Sequence, residues 1–450
     1  MPLLFDHDQR RALNDELHAR PFAPLSAPAQ ILSLSFKPKS ADLAAPERDR
    51  AALADLLSRF KASPPDRIGN HYVVELEGFR LRWERHTEFS TYTVTVSGAP
   101  ERPFDTRAID RLPASWLSEA PERLGGVISS TLVNVVPVDE VEHAEQVVRT
   151  DYAEHFVQES LAVAFLTDGE AAAMSDFRID SNGHTRFAVL ALPAIGPRRL
   201  GRITQRLIEL DTYRTLAMLG LPLARELGPK LTKIDDELLD LSQLMARGAD
   251  DDTTLRAAPV RASNADADRQ TLARLTELSA ELERLTAESA YRFSATRAYQ
   301  KIVEERIAVL RESRMIQRQT FGEFMVRRFK PAMRTVESTQ ARLEALSSRA
   351  ARKANLLSTR VGVFQAEQNQ QLLHSMNRRA ELQLRLQQTV EGLSVVAISY
   401  YAVSLAGYLL TPLAGLLGGE VKYWQAAAAL PIIGGVYWMV QKIRKNAERG

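Results

Sequence analysis

Apolar and polar positions alternate with a period of two along much of residues 1–195. The runs Ile31–Phe36, His71–Leu76, Arg80–Arg85, Tyr92–Ser97, Leu132–Val138, Ala162–Leu166, Phe177–Asp180 and Phe187–Leu192 carry the alternating or all-apolar patterns of strands. From Tyr92 to Val96 every residue is β-branched or aromatic, which suits a pleated, half-buried surface. Glu77-Gly78 separates two of these runs and reads as a hairpin turn. Helices are predicted over Arg48–Lys61, Pro113–Ala120 and His143–Arg149, and the proline-rich stretches Pro21–Pro28 and Pro64-Pro65 punctuate the region. The pattern predicts an α/β or α+β head.

After Pro197 the period changes. Leu200, Ile203, Leu207 and Leu210 are spaced 3-4-3, as are Leu231, Ile234, Leu238 and Leu241, the stripe of a packed helix. Residues 248–266 are polar, include Asp250-Asp251-Asp252, and read as a loop. Leu275, Leu278, Leu282 and Leu285 open a coiled-coil-like helix, and helical residues continue from there, broken only by Pro331 and the isolated glycines 322 and 362. A helix from Pro331 to Val390 would be roughly 90 Å long at about 1.5 Å per residue. Leu382, Leu386, Val390 and Leu393 carry one apolar stripe past the end of that helix.

Charge then disappears from the chain. Gly392–Gly419 is 28 residues without a charge, and Tyr423–Gln441 is another 19, with only Glu420-Val421-Lys422 between them. About 20 helical residues cross a bilayer core, so the pair reads as a transmembrane hairpin, with spans at about 393–417 and 423–441. Tyr423 and Trp424 mark one interface, Tyr437 and Trp438 the other. Arg378, Arg379 and Arg385 precede the first span, and Lys442, Arg444, Lys445 and Arg449 lie beyond the second. The positive-inside rule then puts both ends in the cytoplasm. The start, MPLLFDHDQRR, lacks the apolar core of a signal peptide. The expected organisation is a cytoplasmic head (1–195), a helical stalk (196–390), a hairpin (391–441) and a basic cytoplasmic tail (442–450).

Composition narrows the chemistry. The chain has 450 residues, too many for one compact core, and no cysteine, which excludes disulfides, thiolate metal sites and cysteine nucleophiles. Its net charge of +2 gives no polyelectrolyte signal. Local charge does collect: residues 291–334 hold 11 Lys/Arg against 4 Asp/Glu, and 335–390 hold 8 against 4. A solvated helix face is the plain reading; attraction to anionic headgroups applies only close to a bilayer. Nucleic acid is not expected, because aromatic interleaving and a recognisable module are missing. The phosphate-loop, zinc-protease, nucleophile-elbow and dinucleotide motifs are absent, and the eight histidines form no ligand-spaced set. His155 and Glu159, four apart, read as a surface pair. No enzymatic activity and no resident cofactor are expected.

The weak metal candidates are Asp235, Asp236 and Asp240, with Glu237 on the same helix, and Asp139, Glu140 and Glu142 at a strand end; either could hold Mg²⁺ as a ligand. Asn14, Glu16, His18 and Arg20 form a polar cluster before a proline-rich segment, and Arg82, Arg85, His86 and Glu88 form a second, half of which alternation would place on a solvated strand face.

The chain carries two resemblances. Asn14–Pro28, Leu81–Thr93, Tyr291–Tyr299, Phe329–Thr335 and Leu382–Tyr401 are similar to segments of a bacterial family known only as a domain of unknown function, described as predicted membrane-anchored proteins. The likeness covers essentially the whole chain. It implies a bacterial inner-membrane protein and supplies no activity. The order of head, stalk, span, short loop, span and basic tail also resembles CorA-type divalent-cation channels, homopentamers whose first span lines the pore. Their Gly-Met-Asn hallmark is replaced here by Leu417-Gly418-Gly419-Glu420. In a channel of that kind Ser399, Ser404, Tyr408 and Thr411 would line the pore and Glu420 its mouth.

The leading expectation is a non-enzymatic inner-membrane anchor, in contact with lipid, with a cytoplasmic head that senses or binds an unidentified ligand and a stalk that drives homo-oligomerisation. The alternative is an oligomeric cation channel or transporter. A reporter active only in the periplasm, fused after Gly450, should be silent; an active fusion would overturn the cytoplasmic C-terminus.

Overall fold

A computed structural model describes residues 7–11, 13–14, 22–38, 45–64, 69–254, 258–417 and 421–447; the side chains of 247–264, 410–421 and 444–447 are left out of the description. The chain divides into two compact units, Met1–Leu244 with Ala273–Lys353, and Met245–Leu272 with Ala354–Gly450.

The first unit is built on a mixed sheet. Its strands are β1 (Ala29–Lys37), β2 (His71–Leu76), β3 (Phe79–Arg85), β4 (Ser90–Ser97), β5 (Gly126–Pro137), β6 (Ala162–Leu166), β7 (Ala171–Ser175), β8 (Thr185–Ala191) and β9 (Ser313–Arg314). Their order is β2-β3-β4-β1-β5-β8-β7-β6-β9. The β5–β8 pair is parallel and the other ladders are antiparallel. The β2–β3 turn is Glu77-Gly78, with Gly78 at φ +80°, a conformation that glycine adopts without a Cβ clash.

Alternation decides what each face meets. One face presents Leu32, Leu34, Leu81, Trp83, Tyr92 and Val94 to three helices: α1 (Ala45–Arg59), α2 (Ala114–Leu124) and α3 (Val141–Arg149). Trp116 of α2 meets Phe36 and Tyr92 edge to face, at 6.1 Å and 4.9 Å between ring centroids. The other face receives α4 (Pro197–Met218) and the end of α6 (Ala258–Leu310). Leu200, Ile203, Leu207 and Leu210 of α4 are all buried against it, as their spacing predicted. The head is therefore not complete at residue 195: helices assigned from sequence to the stalk supply the second half of its core.

Three more expectations change. The strand reading of Phe177–Asp180 fails, because Phe177 lies at φ +55° and ends the ladder; the strand is the neighbouring Ala171–Ser175, whose three alanines carry little β signal. The supposed loop at 248–266 is helical on both sides of residues 255–257, since α5 (Gly220–Thr254) runs to its near end and α6 starts at Ala258. Alanine, arginine and aspartate recur there without a helix-breaking glycine pair, so polarity alone misled. Helix also does not continue unbroken past Leu310. Residues 313–314 form β9 on the edge of β6, and a helix restarts at Phe321 behind a Thr320–Glu323 capping box. It passes through a π-helical segment, Met325–Phe329, into the 88-residue α7 (Lys330–Leu417).

Within the first unit α5, α6 and the start of α7 pack together. Leu231, Ile234 and Leu238 of α5 and Leu275, Leu278 and Leu282 of α6 are buried, and Arg349 of α7 reaches Asp235 at 2.8 Å. In the second unit Arg360 pairs with Asp268 at 3.0 Å, and α7 meets α8 (Val421–Ala447) where Gly407 lies against the Gln425 side chain. Two helical stretches, within Phe321–Leu409 and Lys422–Ile443, are long and apolar enough to cross a membrane, with mean hydropathy 1.5 and 1.3. The CorA-like build rests on no finding beyond these helices.

Gly201 of α4 sits where a methyl group would overlap the Ala23 carbonyl oxygen. Leu25 N donates to Pro197 O at 3.0 Å beside it, so segment and helix are fastened together. Gly201→Ala should lower the denaturation midpoint by the equivalent of about 1–3 kcal/mol. Gly228→Ala, on α5 with open space around it, should be neutral or slightly stabilising in the same urea titration.

Candidate functional site

The second face of the sheet changes chemistry along its width. Under α4 near β6 to β8 it is hydrocarbon: Ala164, Ala173, Phe187 and Val189. Across β3, β4, β1 and β5 it carries two polar rows in register. One is Arg82–Thr93–Ser33–Thr131, the other Glu84–Thr91–Ser35–Ser129. The strand period puts them there, because the residues between them face α1 and α2.

A buried polar surface has to be hydrogen-bonded. Ser33 and Thr93 hydroxyls are 3.3 Å apart, and Ser35 and Thr91 3.4 Å. At the β5 end Asp211 of α4, only 1% exposed, accepts from Ser129 at 3.2 Å, Thr131 at 2.9 Å and Arg214 at 2.6 Å. At the β3 end Arg82 donates to Gln205 Oε1 at 2.5 Å and to Glu84 Oε1 at 2.8 Å. Besides Arg214 Nε near Asp211, two buried atoms of this network have no partner among the described residues: Arg82 Nε, on a side chain 9% exposed, and Thr204 Oγ1, on a residue 3% exposed. Each such orphan costs about 1–3 kcal/mol.

Both orphans border a cleft of about 90 Å³ between the polar rows and α4, lined also by Ser33, Thr93, Gln205 and Tyr213. A second, more open cavity of about 480 Å³ shares His86, Phe89 and Tyr213 with it and reaches Asn70 and Tyr299. The shared residues are an aromatic partition. His86 and Phe89 stack at 4.2 Å between centroids, and Tyr213 stacks on Tyr299 at 5.6 Å.

Behind the partition Glu88 ties the β3–β4 turn to α6. Its side chain is 4% exposed and accepts from Arg292 at 2.6 Å and from the Tyr299 hydroxyl at 2.9 Å, with Lys37 at 3.3 Å. Burial by itself would raise the carboxyl, but the Arg292 hydrogen bond and charge, with Tyr299 and Lys37, hold it below its ordinary 4.5. Burial and the charge of Glu88 push the Tyr299 phenol well above the usual range, so it stays a donor.

Against this geometry the chain can be placed. A family model described as a protein of unknown function, DUF3422, matches residues 5–447. The chain belongs to the DUF3422 family. Among curated proteins and among solved structures nothing matches. Three of the five segments that carried the resemblance to an uncharacterised bacterial family converge on the cleft region of this DUF3422 chain. Leu81–Thr93 supplies Arg82, Glu84, His86 and Phe89; Tyr291–Tyr299 supplies Arg292 and Tyr299; and Asn14–Pro28 supplies Ala23, Pro24 and Leu25.

The sequence-derived candidates divide. Of the second polar cluster, Arg82 and His86 line the cleft and Glu88 braces it, while Arg85 lies 3.6 Å from Asp49 and lines the second cavity. The polar face of β3 is buried under α4, not solvated. Asn14 is helical and exposed, and Glu16, His18 and Arg20 lie outside the described residues. Asp235 is committed to Arg342 and Arg349, while Asp236 and Asp240 are exposed. Among the described residues no three His, Asp or Glu side chains group to hold a metal ion. Ser399 is buried, Ser404 half-buried and Tyr408 81% exposed; the Thr411 side chain and Glu420 lie outside the described residues. His155 and Glu159 share no helix, which there covers only Ala153–His155. The basic run at 291–334 is in part an internal clamp: Arg292 holds Glu88, Arg306 holds Glu209 at 2.5 Å and Arg311 holds Asp168 at 2.7 Å. Sequence reasoning missed Thr204, Gln205, Thr212 and Tyr213, because α4 was taken for stalk; their signal is a polar stripe beside the leucine stripe.

Ser130 Oγ and His184 Nδ1 approach to 2.6 Å, but neither residue lines either cavity, and burial keeps the imidazole below its ordinary pKa.

Glu88→Ala should destabilise the protein by about 3 kcal/mol, because it strands Arg292 and Lys37 near a partly buried site. A carboxyl lowered by folding contributes stability above its unfolded pKa and loses it as pH falls through the lower folded value. Wild-type stability should therefore drop as pH falls below 4.5, and the variant should lose that part of the slope in equilibrium denaturation across pH 3–6.

Proposed function

We propose that this chain is a membrane-anchored, non-enzymatic binding protein whose sheet domain holds a small ligand in the cleft under α4. One observation carries the reading: Arg82 Nε and Thr204 Oγ1 are buried without a partner beside an open volume of about 90 Å³. Polar atoms left unpartnered on residues that line such a space offset their cost when a ligand reaches them. The hydroxyls, two guanidiniums and two carboxylates that border the cleft can hold and orient a small molecule.

Anchoring rests on α7 and α8. Leu393, Val396, Leu405 and Tyr408 of α7 are 66–81% exposed, as are Tyr423 and Leu430 of α8 at 76% and 78%. Side chains of this kind are stable against acyl chains and not against water. Lys442 lies 5.0 Å over the Trp438 ring, a cation–aromatic pair suited to a headgroup interface. The flanking arginines and lysines support an inner-membrane hairpin with both ends in the cytoplasm. The exposed stripe Leu382, Leu386 and Val390 fits a second copy of the same helix, which makes a homo-oligomer the expected assembly. A channel has less behind it, because Ser399, which would have to face a pore, is buried within the single chain.

The 450-residue chain should remain in the membrane pellet after an alkaline carbonate wash. In mild detergent, a panel of small solutes should contain at least one that raises the melting temperature of the wild type and fails to do so in Thr204→Val. A soluble chain after the wash would sink the anchor, and a panel without such a solute would sink the binding head.

A further inference from the structure

The lining of the cleft specifies what it takes, given that it binds a ligand at all. Its charged groups are already matched. Two arginines and two glutamates border it, Arg80, Arg82, Glu84 and Glu209. Arg82 and Glu84 pair at 2.8 Å, Glu209 pairs with Arg306 at 2.5 Å, and Arg80 pairs with Glu75. A fully ionised ligand would enter a low-dielectric site with no opposite charge left to receive it, at a cost of several kcal/mol.

Apart from the Gln205 amide and the His86 imidazole, the remaining polar surface is hydroxyl. Ser33, Thr91, Thr93, Thr95, Thr204 and Thr212 all border the cleft. Each hydroxyl donates once and accepts twice, and its hydrogen rotates to suit. Such a surface matches a ligand whose own groups also both donate and accept. Carboxylates and phosphates only accept, and ammonium groups only donate. The Arg82 Nε–H adds one fixed donor at the β3 end. At the β3–β4 turn Phe89 and Tyr213, with ring centroids 6.1 Å apart in edge-to-face contact, supply the aromatic part of the lining, against which the C–H groups of a saturated ring can pack.

Size agrees. The open volume of about 90 Å³ is several times the roughly 10–15 Å³ that a single water needs, room for a small molecule and not for a polymer.

We infer that the cleft between the Arg82–Thr93–Ser33 row and α4 binds a neutral polyhydroxylated molecule of monosaccharide size, held by the hydroxyl rows and seated against Phe89 and Tyr213. The inference rests on the binding reading above and adds the ligand class.

The test uses the whole chain in mild detergent and isothermal titration with D-glucose, D-ribose, myo-inositol, succinate and inorganic phosphate. At least one of the three polyols should bind, and Thr204→Val and Thr93→Val should each weaken it about tenfold, the loss of one hydrogen bond of about 1.4 kcal/mol. Gln243→Ala, on α5 and outside either cavity's lining, should leave the affinity unchanged and serves as the fold control. If succinate or phosphate binds and the polyols do not, with the same dependence on Thr204, the ligand class is wrong while the binding cleft stands. If a polyol binds with equal affinity to wild type and both threonine variants, the site is elsewhere and the inference fails. If none of the five binds, the inference fails for these ring-sized polyols, and the wider solute panel decides the binding reading separately.

Discussion

A sheet face that carries hydroxyls where its neighbour carries hydrocarbon must be satisfied before a helix can cover it. In the first unit that requirement organises what surrounds the cleft. Helix α4 covers much of the face, with the end of α6 beside it, and it does so with two chemistries. Its leucines and isoleucine sit on the alanine- and valine-rich half of the sheet. Asp211, Gln205 and Thr212 sit on the rows of serine and threonine. Asp211 takes three donors at one end and Arg82 gives two hydrogen bonds near the other. Satisfaction is incomplete at Arg82 and Thr204, and both residues line the cleft.

The cleft is held open by what stands behind it. Glu88 fastens the β3–β4 turn to α6, and Gly201 lets the segment around Ala23 press on α4. Both fix backbone at the rim, so the space between the rows and the helix is bordered by groups that are themselves restrained. The arginines of 291–334, which look like a solvated basic face, contribute to this. Arg292 and Arg306 spend their charge on Glu88 and Glu209 and so draw α6 onto the head. A charge pair with one partner this well buried stabilises mainly by what its loss would expose.

Much of the fold was legible. Seven of the eight strand runs and all three head helices lie within or close to observed elements, because period-two and period-3.6 patterns report local geometry directly. The failures have separate causes. Ala171–Ser175 is a strand because it is enclosed between β6 and β8, where small side chains fit, and isolated alanines say nothing of that. Ser313–Arg314 is a strand because β6 has an edge to fill. The supposed loop near residue 250 is largely helical because polarity does not exclude helix. At the site, β3 and its turn were singled out, but as single polar residues. That Arg82 shares a row with Thr93, Ser33 and Thr131 depends on a register across four strands, two of which, β1 and β5, are distant in sequence from the β3–β4 hairpin.

What the sequence determined by itself is local and additive: the alternation that makes strands two-faced, the leucine stripes of α4 to α6, the two long uncharged helices and membership of one family over residues 5–447. Each depends on neighbours a few residues away. The tertiary structure decided which polar residues are buried together, that α4 belongs to the head and not to a stalk, and that Arg82 Nε and Thr204 Oγ1 are buried without a partner on residues lining the cleft. Those are outcomes of strand order and helix placement, and the free energy of a buried polar group depends on the three-dimensional partner it finds, which no local pattern specifies.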